Sequence, residues 1–360
     1  MCREMRHHTN YLLTVILLLM MTLLPAHALA SNSHSSGEMD VKEVIFEHLG
    51  DAYEWHIITW GNSHISLPLP IIVYSGESGW HTFLSSRLHH GHAYEGFHLA
   101  TEGKYVGKVV ETLPSGEVVR PLDISLTKVA AGILINSLLL VCIILGVSSW
   151  YKRREVTDKA PRGFVGAVEM LIVTVYDGII KPSVGEDYKR YAPYLLTAFF
   201  FIFFSNLMGL VPFFPGGVNV TGNIAITLVL ALCTFVAVNV FGTREYWREI
   251  LWPDVPTWMK CPLPLMPVIE LFGIFTKPFA LTVRLLANIM AGHSVILALV
   301  CIIFITHSMG AVIGGSLTVV SVLFSIFMNC LELLVAFIQA YVFTMLSAVF
   351  IGMSRVKQHG

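Results

Sequence analysis

The sequence predicts an all-α polytopic membrane fold. It has five transmembrane helices, the last two long and strongly tilted, an amphipathic helix on the cytoplasmic surface, and an exported N-terminal segment of mixed or irregular structure. Three observations predict it. The 360-residue chain is 55% hydrophobic and only 13% charged, against about 25% charged in an ordinary soluble domain, so lipid must solvate most of it. Beyond position 125 the apolar residues collect into five runs of membrane length. One of these runs contains an arginine, in Arg284-Leu-Leu-Ala-Asn288-Ile-Met-Ala-Gly-His293. A guanidinium cannot shed its charge, and at the centre of a membrane helix it costs about 2.5 to 3.5 kcal/mol on insertion scales and roughly 10 or more in simulations. The fold must therefore bring it water or a carboxylate, and such a residue marks a functional site.

Residues 1–30 carry Arg3 and Arg6, an apolar stretch over 11–24 and then Ala28-Leu-Ala30, the pattern of a secretory signal cleaved after Ala30. An uncleaved anchor is the alternative. Residues 31–125 form an exported polar segment holding nine of the fifteen histidines, with a strand expected over 65–74 and much loop. The membrane domain is 126–360. Its first three spans, 129–151, 192–211 and 222–242, have about the twenty residues that cross roughly 30 Å of hydrocarbon. The runs 267–306 and 311–353 would each extend about 60 Å as one helix. They must tilt, break or lie partly in the interface, and Pro278 offers a break. Between the first two spans, 163–180 is apolar but interrupted by Glu169 and Asp177, which predicts a helix lying along the surface. The alternative is a sixth span, which would invert every later segment.

Lysine and arginine set the orientation. Residues 151–191 carry eight of them, residues 243–262 three, and the tail Arg355 and Lys357, while 212–221 and 307–310 carry none. The positive-inside rule places the N-terminal segment outside and the C-terminus in the cytoplasm, as a cleaved export signal also requires.

Other classes are disfavoured. A net charge of −1 gives no argument for nucleic acid, and no glycine-rich phosphate loop or HExxH motif occurs. No cofactor is expected. The six cysteines form no CxxC pair and read as small buried side chains. His89-His90-Gly91-His92 with His98 could hold a divalent metal, but without a recognised ligand spacing a solvated loop is the expectation, and no metal site is assigned.

The chemistry concentrates on the last two spans. With Arg284 at zero and about 100° per residue, Lys277 falls near 20°, Glu270 and Asn288 near 40°, Ala287 near −60° and Ala291 near −20°. Charged and small residues thus share one stripe, and small side chains let another helix approach closely, so the arginine looks across a flat surface towards a partner. On the last span Glu332 and Gln339 share a face, about 10.5 Å apart along the axis. If Gln339 sits level with Arg284 on the antiparallel neighbour, Glu332 lies about 10.5 Å towards the outside and His293 about 13.5 Å in the same direction. Imidazole and carboxylate meet at nearly one height, as a proton relay would need. Glu332 as a structural counter-ion of Arg284, and His293 as a satisfied core histidine, stay open at this point. Glu270 and Lys277 are expected as an ion pair near the cytoplasmic surface, with half-channel lining the other use of Glu270. Asn206 and Asn239 are equally candidates for helix–helix glue or channel lining. His307 is expected to be solvated.

These residues resemble a known family. Arg284-Leu-Leu-Ala-Asn288-Ile-Met-Ala-Gly-His293 and Glu332-Leu-Leu-Val-Ala-Phe-Ile-Gln339 are similar to the two signature helices of subunit a of F-type ATP synthases, and Gly163-Phe-Val-Gly-Ala-Val-Glu169 and Asn206-Leu-Met-Gly-Leu-Val-Pro212 agree with it. The resemblance covers about residues 125–355. It implies a non-catalytic, proton-translocating stator subunit of a bacterial inner membrane. Its partners would be the ring of c subunits, the b subunits of the peripheral stalk and, through the complex, the soluble F1 sector. Arg284 would face the ring between two aqueous half-channels, with Asn288 and Gln339 beside it. His293 and Glu332 would line the outer half-channel, in the order of mitochondrial members, which leaves one imidazole and one carboxylate at the same height. Ala287 stands where a glycine is common, and Gly209 where some relatives have an aspartate. The alternative is a stand-alone secondary transporter or channel, a class that usually shows inverted repeats. No second copy of the Arg284 pattern is found. Protons rather than sodium are the expected coupling ion.

Overall fold

In the computed structural model the described residues are 50–60, 63–100, 105–113, 116–155, 160–211, 216–251, 265–307 and 311–355. The expected signal segment and its cleavage point lie outside them. The chain divides into two compact units.

The first unit contains a β domain where mixed or irregular structure was expected. Among the described residues it has eight strands: β1 (Glu54–Trp60), β2 (Ser63–Pro68), β3 (Pro70–Ser75), β4 (Gly79–Leu84), β5 (Phe97–Leu99), β6 (Val109–Thr112), β7 (Val118–Val119) and β8 (Leu122–Asp123). They pair antiparallel as β1-β2, β4-β3-β8 and β5-β6-β7. The single strand expected over 65–74 is two, β2 and β3. Pro68 ends one and Pro70 begins the other, because proline has no N–H for the ladder. Leu69 between them is buried, and its N–H and C=O are taken by Ser85. Ile71, Val73, Phe83, Leu88, Phe97 and Val109 form the core with Tyr53. The Tyr53 hydroxyl donates to the Asp123 carboxylate. Burial and that carboxylate push the tyrosine above its ordinary value. Burial alone would raise Asp123, but hydrogen bonds from Ser125 and Tyr53 outweigh it and hold the carboxyl low.

The domain runs directly into helix α1 (Lys128–Lys152). The Lys128 N–H donates to Ala52 O at 2.8 Å, and the Val129 N–H to Asp51 Oδ1 at 3.1 Å. These satisfy two of the donors that a helix start leaves open.

The second unit is helical. The expected surface stretch and second span are one helical run, Phe164–Leu210, 47 residues long. It comprises α2 (Phe164–Val175), a π turn (Tyr176–Ile180), α3 (Lys181–Val184), a 3-10 turn (Gly185–Asp187) and α4 (Tyr188–Leu210). The two expected pieces thus follow one another without a connecting loop, divided around Pro182 and at Gly185, whose φ of 75° and ψ of −138° are not helical. Helix α5 (Ile224–Val240), capped by the Asn223 side chain, turns through 96° into α6 (Arg244–Leu251). Two long helices close the chain, α7 (Leu265–His307) and α8 (Ala311–Ser354). Among the described residues four helices are long and apolar enough to cross a membrane, or five if the bent α5–α6 pair is one span. Helix α7 is continuous through Pro278, so of the courses open to this long run, the break that Pro278 offered is not the one taken. Proline removes one backbone bond, yet an apolar setting offers the neighbouring carbonyls nothing better than the helix. The Thr282 hydroxyl donates to the Pro278 carbonyl at 2.9 Å.

Candidate functional site

Helix α7 divides Arg284 from its own unit. Ile274, Leu281, Leu285 and Ile289, at helical spacing, are buried against the second unit's core. Arg284, Ala287, Asn288 and Ala291 lie on the other side and are exposed. Among the described residues Arg284 makes no hydrogen bond or ion pair, so Glu332 is not its counter-ion here. Asn288 shares its exposed stripe. Gln339, on α8, is 5% exposed and sits in a buried row with Glu332, Ala336, Ala340 and Phe343.

The expected meeting of histidine and glutamate is present. His293 Nδ1 lies 2.8 Å from Glu332 Oε1, with side-chain exposures of 16% and 7%. The contact has ion-pair distance but not hydrogen-bond angles, and neither Glu332 oxygen has a hydrogen-bond partner. A buried carboxylate in that state is poised to accept a donor. Gly292 makes the close approach possible, since a Cβ there would come within 3.0 Å of Glu332 Oε1. Sequence reasoning passed over this glycine, although its place beside His293 was a signal.

Asn206 is 5% exposed and accepts from the Thr221 hydroxyl at 2.5 Å, while its Nδ2 has no partner. Thr221 was not foreseen, because a threonine in a loop carries no periodic signal. Asn239 serves as glue for the α5–α6 bend. Its amide donates to Phe235 O at 2.8 Å and its backbone carbonyl accepts from Trp247 at 3.3 Å. The expected Glu270–Lys277 ion pair does not form. Glu270 is exposed, and the Lys277 ammonium lies 5.5 Å from the Phe350 ring centroid. A four-carbon stem lets lysine reach an aromatic face instead. The side chains of His89, His90 and His307 lie outside the described residues. Among the described residues no group of three or more histidine, cysteine or acidic side chains could hold a metal.

Residues 134–352 match the family model described as ATP synthase A chain. The chain belongs to the ATP synthase A chain family. Residues 44–124 match a separate domain family of unknown function. ATP synthase subunit a of Chlorobium phaeobacteroides is 41% identical over 256 residues, 68% of this chain and 71% of that one. ATP synthase subunit a 2 of Chlorobaculum tepidum is 41% identical over 252 residues, covering 67% and 68%. ATP synthase subunit a of Myxococcus xanthus is 42% identical over 245 residues, covering 66% and 75%. As an ATP synthase A chain, the protein is a multi-pass membrane subunit of a machine for proton transport and ATP synthesis.

Proposed function

We propose that this chain is the proton-translocating stator subunit of an F-type ATP synthase, with Arg284 as the fixed cation between two aqueous half-channels. It is not an enzyme by itself. The observation that carries the reading is Arg284 exposed on a strip of small residues, with no partner among the described residues of its own chain. A charge so placed needs an acid from elsewhere, and the carboxylates of a ring of c subunits are the partner that family membership supports. Passing such a carboxylate, the guanidinium favours its ionised form and displaces its proton. Being unable to lose its own proton, it blocks a direct path between the two sides. Each elementary charge falling through 100 mV releases about 2.3 kcal/mol, which an open path would dissipate without rotation.

His293 and Glu332 line the outer half-channel, where a buried imidazole–carboxylate contact can hand a proton inward. Asn288 and Gln339 hold the surroundings of Arg284 polar, and Asn206 with Thr221 offers polar lining on the outer side. Glu270 serves the cytoplasmic side. The N-terminus lies outside after removal of residues 1–30, and the C-terminus lies in the cytoplasm. With 43 and 44 residues, α7 and α8 extend about 65 Å each and tilt strongly to stay within the membrane. The b subunits of the peripheral stalk hold the chain against rotation, and the F1 sector is reached through the complex.

The test is ATP-driven quenching of a pH dye in vesicles carrying the complete synthase, with and without sodium. The native complex pumps protons without sodium. Arg284→Ala and Arg284→Lys both abolish coupled pumping, the second because an ammonium can release its proton. Normal pumping by Arg284→Ala would refute the reading.

A further inference from the structure

We propose that the outer face of the β4-β3-β8 sheet is a membrane-docking surface that lies on the phospholipid headgroups around the N-terminal end of α1. Ile71, Val73 and Phe83 turn inward, so strand alternation turns Ile72, Tyr74, Trp80, Thr82, Leu84, Leu122 and Ile124 outward. Trp80 pairs with Tyr74 across one strand boundary, and Tyr74 with Leu122 across the next. The three make one exposed row, with exposures of 61%, 41% and 59%, and the two aromatic rings lie 5.1 Å apart. Leu84 and Ile124 add 48% and 58% on the same face. Its polar groups are the Thr82 hydroxyl and the tips of Tyr74 and Trp80. Such a face is not expected on a domain bathed only in water.

What covers it follows from where the sheet is tied. Strand β8 continues as a hydrogen-bonded edge, Ile124 N–H to Ile72 O at 2.9 Å and Leu126 N–H to Pro70 O at 3.1 Å. Two residues later α1 begins, itself bonded to Ala52 and Asp51 of the same domain. The domain and the first turns of α1 belong to one compact unit, so the sheet stays tied to the start of that apolar helix. The apolar face is continuous along the chain with the apolar span. Tryptophan and tyrosine at its far edge are the side chains that prefer the headgroup level, with an apolar ring and a polar tip. A lipid surface is therefore the occupant.

The experiment uses the complete synthase in vesicles containing a phospholipid with a photoactivatable diazirine near its headgroup, followed by peptide mapping. Val106, also 59% exposed but off this face, is the internal reference. Label on the peptides carrying Trp80, Tyr74 and Leu122 several-fold above that at Val106 supports docking. Substituting Trp80→Glu and Leu122→Glu together should bring it down to the Val106 level, with assembly and ATP-driven pumping retained. Equal labelling of the face and Val106 in the native complex, or capture of the face by another protein chain, overturns the proposal. Neither result bears on Arg284, so this inference and the proton reading fail separately.

Discussion

Arg284 and Glu332 are both charged side chains in apolar helices, and the fold treats them in opposite ways. The arginine is left on the outer face of α7, whereas the glutamate is withdrawn to 7% exposure against Gly292 and His293. The glutamate's place gives a sharp prediction. Adding a methyl group at Gly292→Ala brings a Cβ to 3.0 Å from Glu332 Oε1, so the carboxylate must give by a few tenths of an ångström beside His293. Proton flux through the assembled complex should fall several-fold, and Gly292→Val should lower it further. Unchanged flux in the valine variant would remove Glu332 from the path. In the β domain the two perturbed groups predict a stability window. Asp123 is held low, so its contribution is present above the ordinary carboxylate value of about 3.9 and is lost as pH falls through the depressed one. Tyr53 is raised, so its contribution is present below about 10 and is lost as pH rises through the folded value. Amide exchange in β3 and β8 of the intact protein should quicken at both extremes. Asp123→Asn should remove the acid step, and persistence of that step would assign it to another carboxylate.

Among the elements, α8 is closely packed at its C-terminal end. A Cβ at Gly352 would meet the Ser183 carbonyl at 2.0 Å, a backbone atom that cannot step aside. Beyond it, Arg355 bonds Asp187 at 2.7 Å and donates to the Phe241 carbonyl at 2.8 Å. The C-terminal end of α8 is thereby fixed to the turn before α4 and to the end of α5. Gly352→Ala should cost about 1 to 3 kcal/mol, the usual range for overpacking. It should show as reduced incorporation of the subunit on native gels, and normal incorporation would mean that the helices separate more easily than the contact implies. These elements also show what the sequence could tell. Helix lengths and the Arg284 and Glu332 faces were legible, because apolar runs and a 3.6-residue period are local properties. The survival of α7 through Pro278 was not, since whether a proline breaks a helix depends on its surroundings. Nor was the close succession of helices over Phe164–Leu210, where Gly185 turns the chain without a connecting loop. Lys277 turning to Phe350 instead of Glu270 was invisible for a similar reason, as the ring comes from α8.

The molecule as a whole joins a β domain of its own family to a membrane domain of the ATP synthase A chain family. The polar, histidine-rich N-terminal segment hid its eight strands, because short strands separated by turns carry little periodicity and two prolines sit where one strand seemed to run. The antiparallel arrangement of the last two helices, in contrast, followed from counting lysines and arginines, and from it came the common height of His293 and Glu332. The chain presents Arg284 to a surface that its own described residues do not cover, and the central claim is that an acidic ring subunit covers it. The most direct measurement places a photo-crosslinking amino acid, p-benzoylphenylalanine, at Ala287 or Ala291 in the assembled synthase and identifies the captured peptide. The account predicts a small ring-forming proteolipid, captured at the helix that carries its ionisable carboxylate. Capture of lipid alone, or of this chain's own helices, would contradict it.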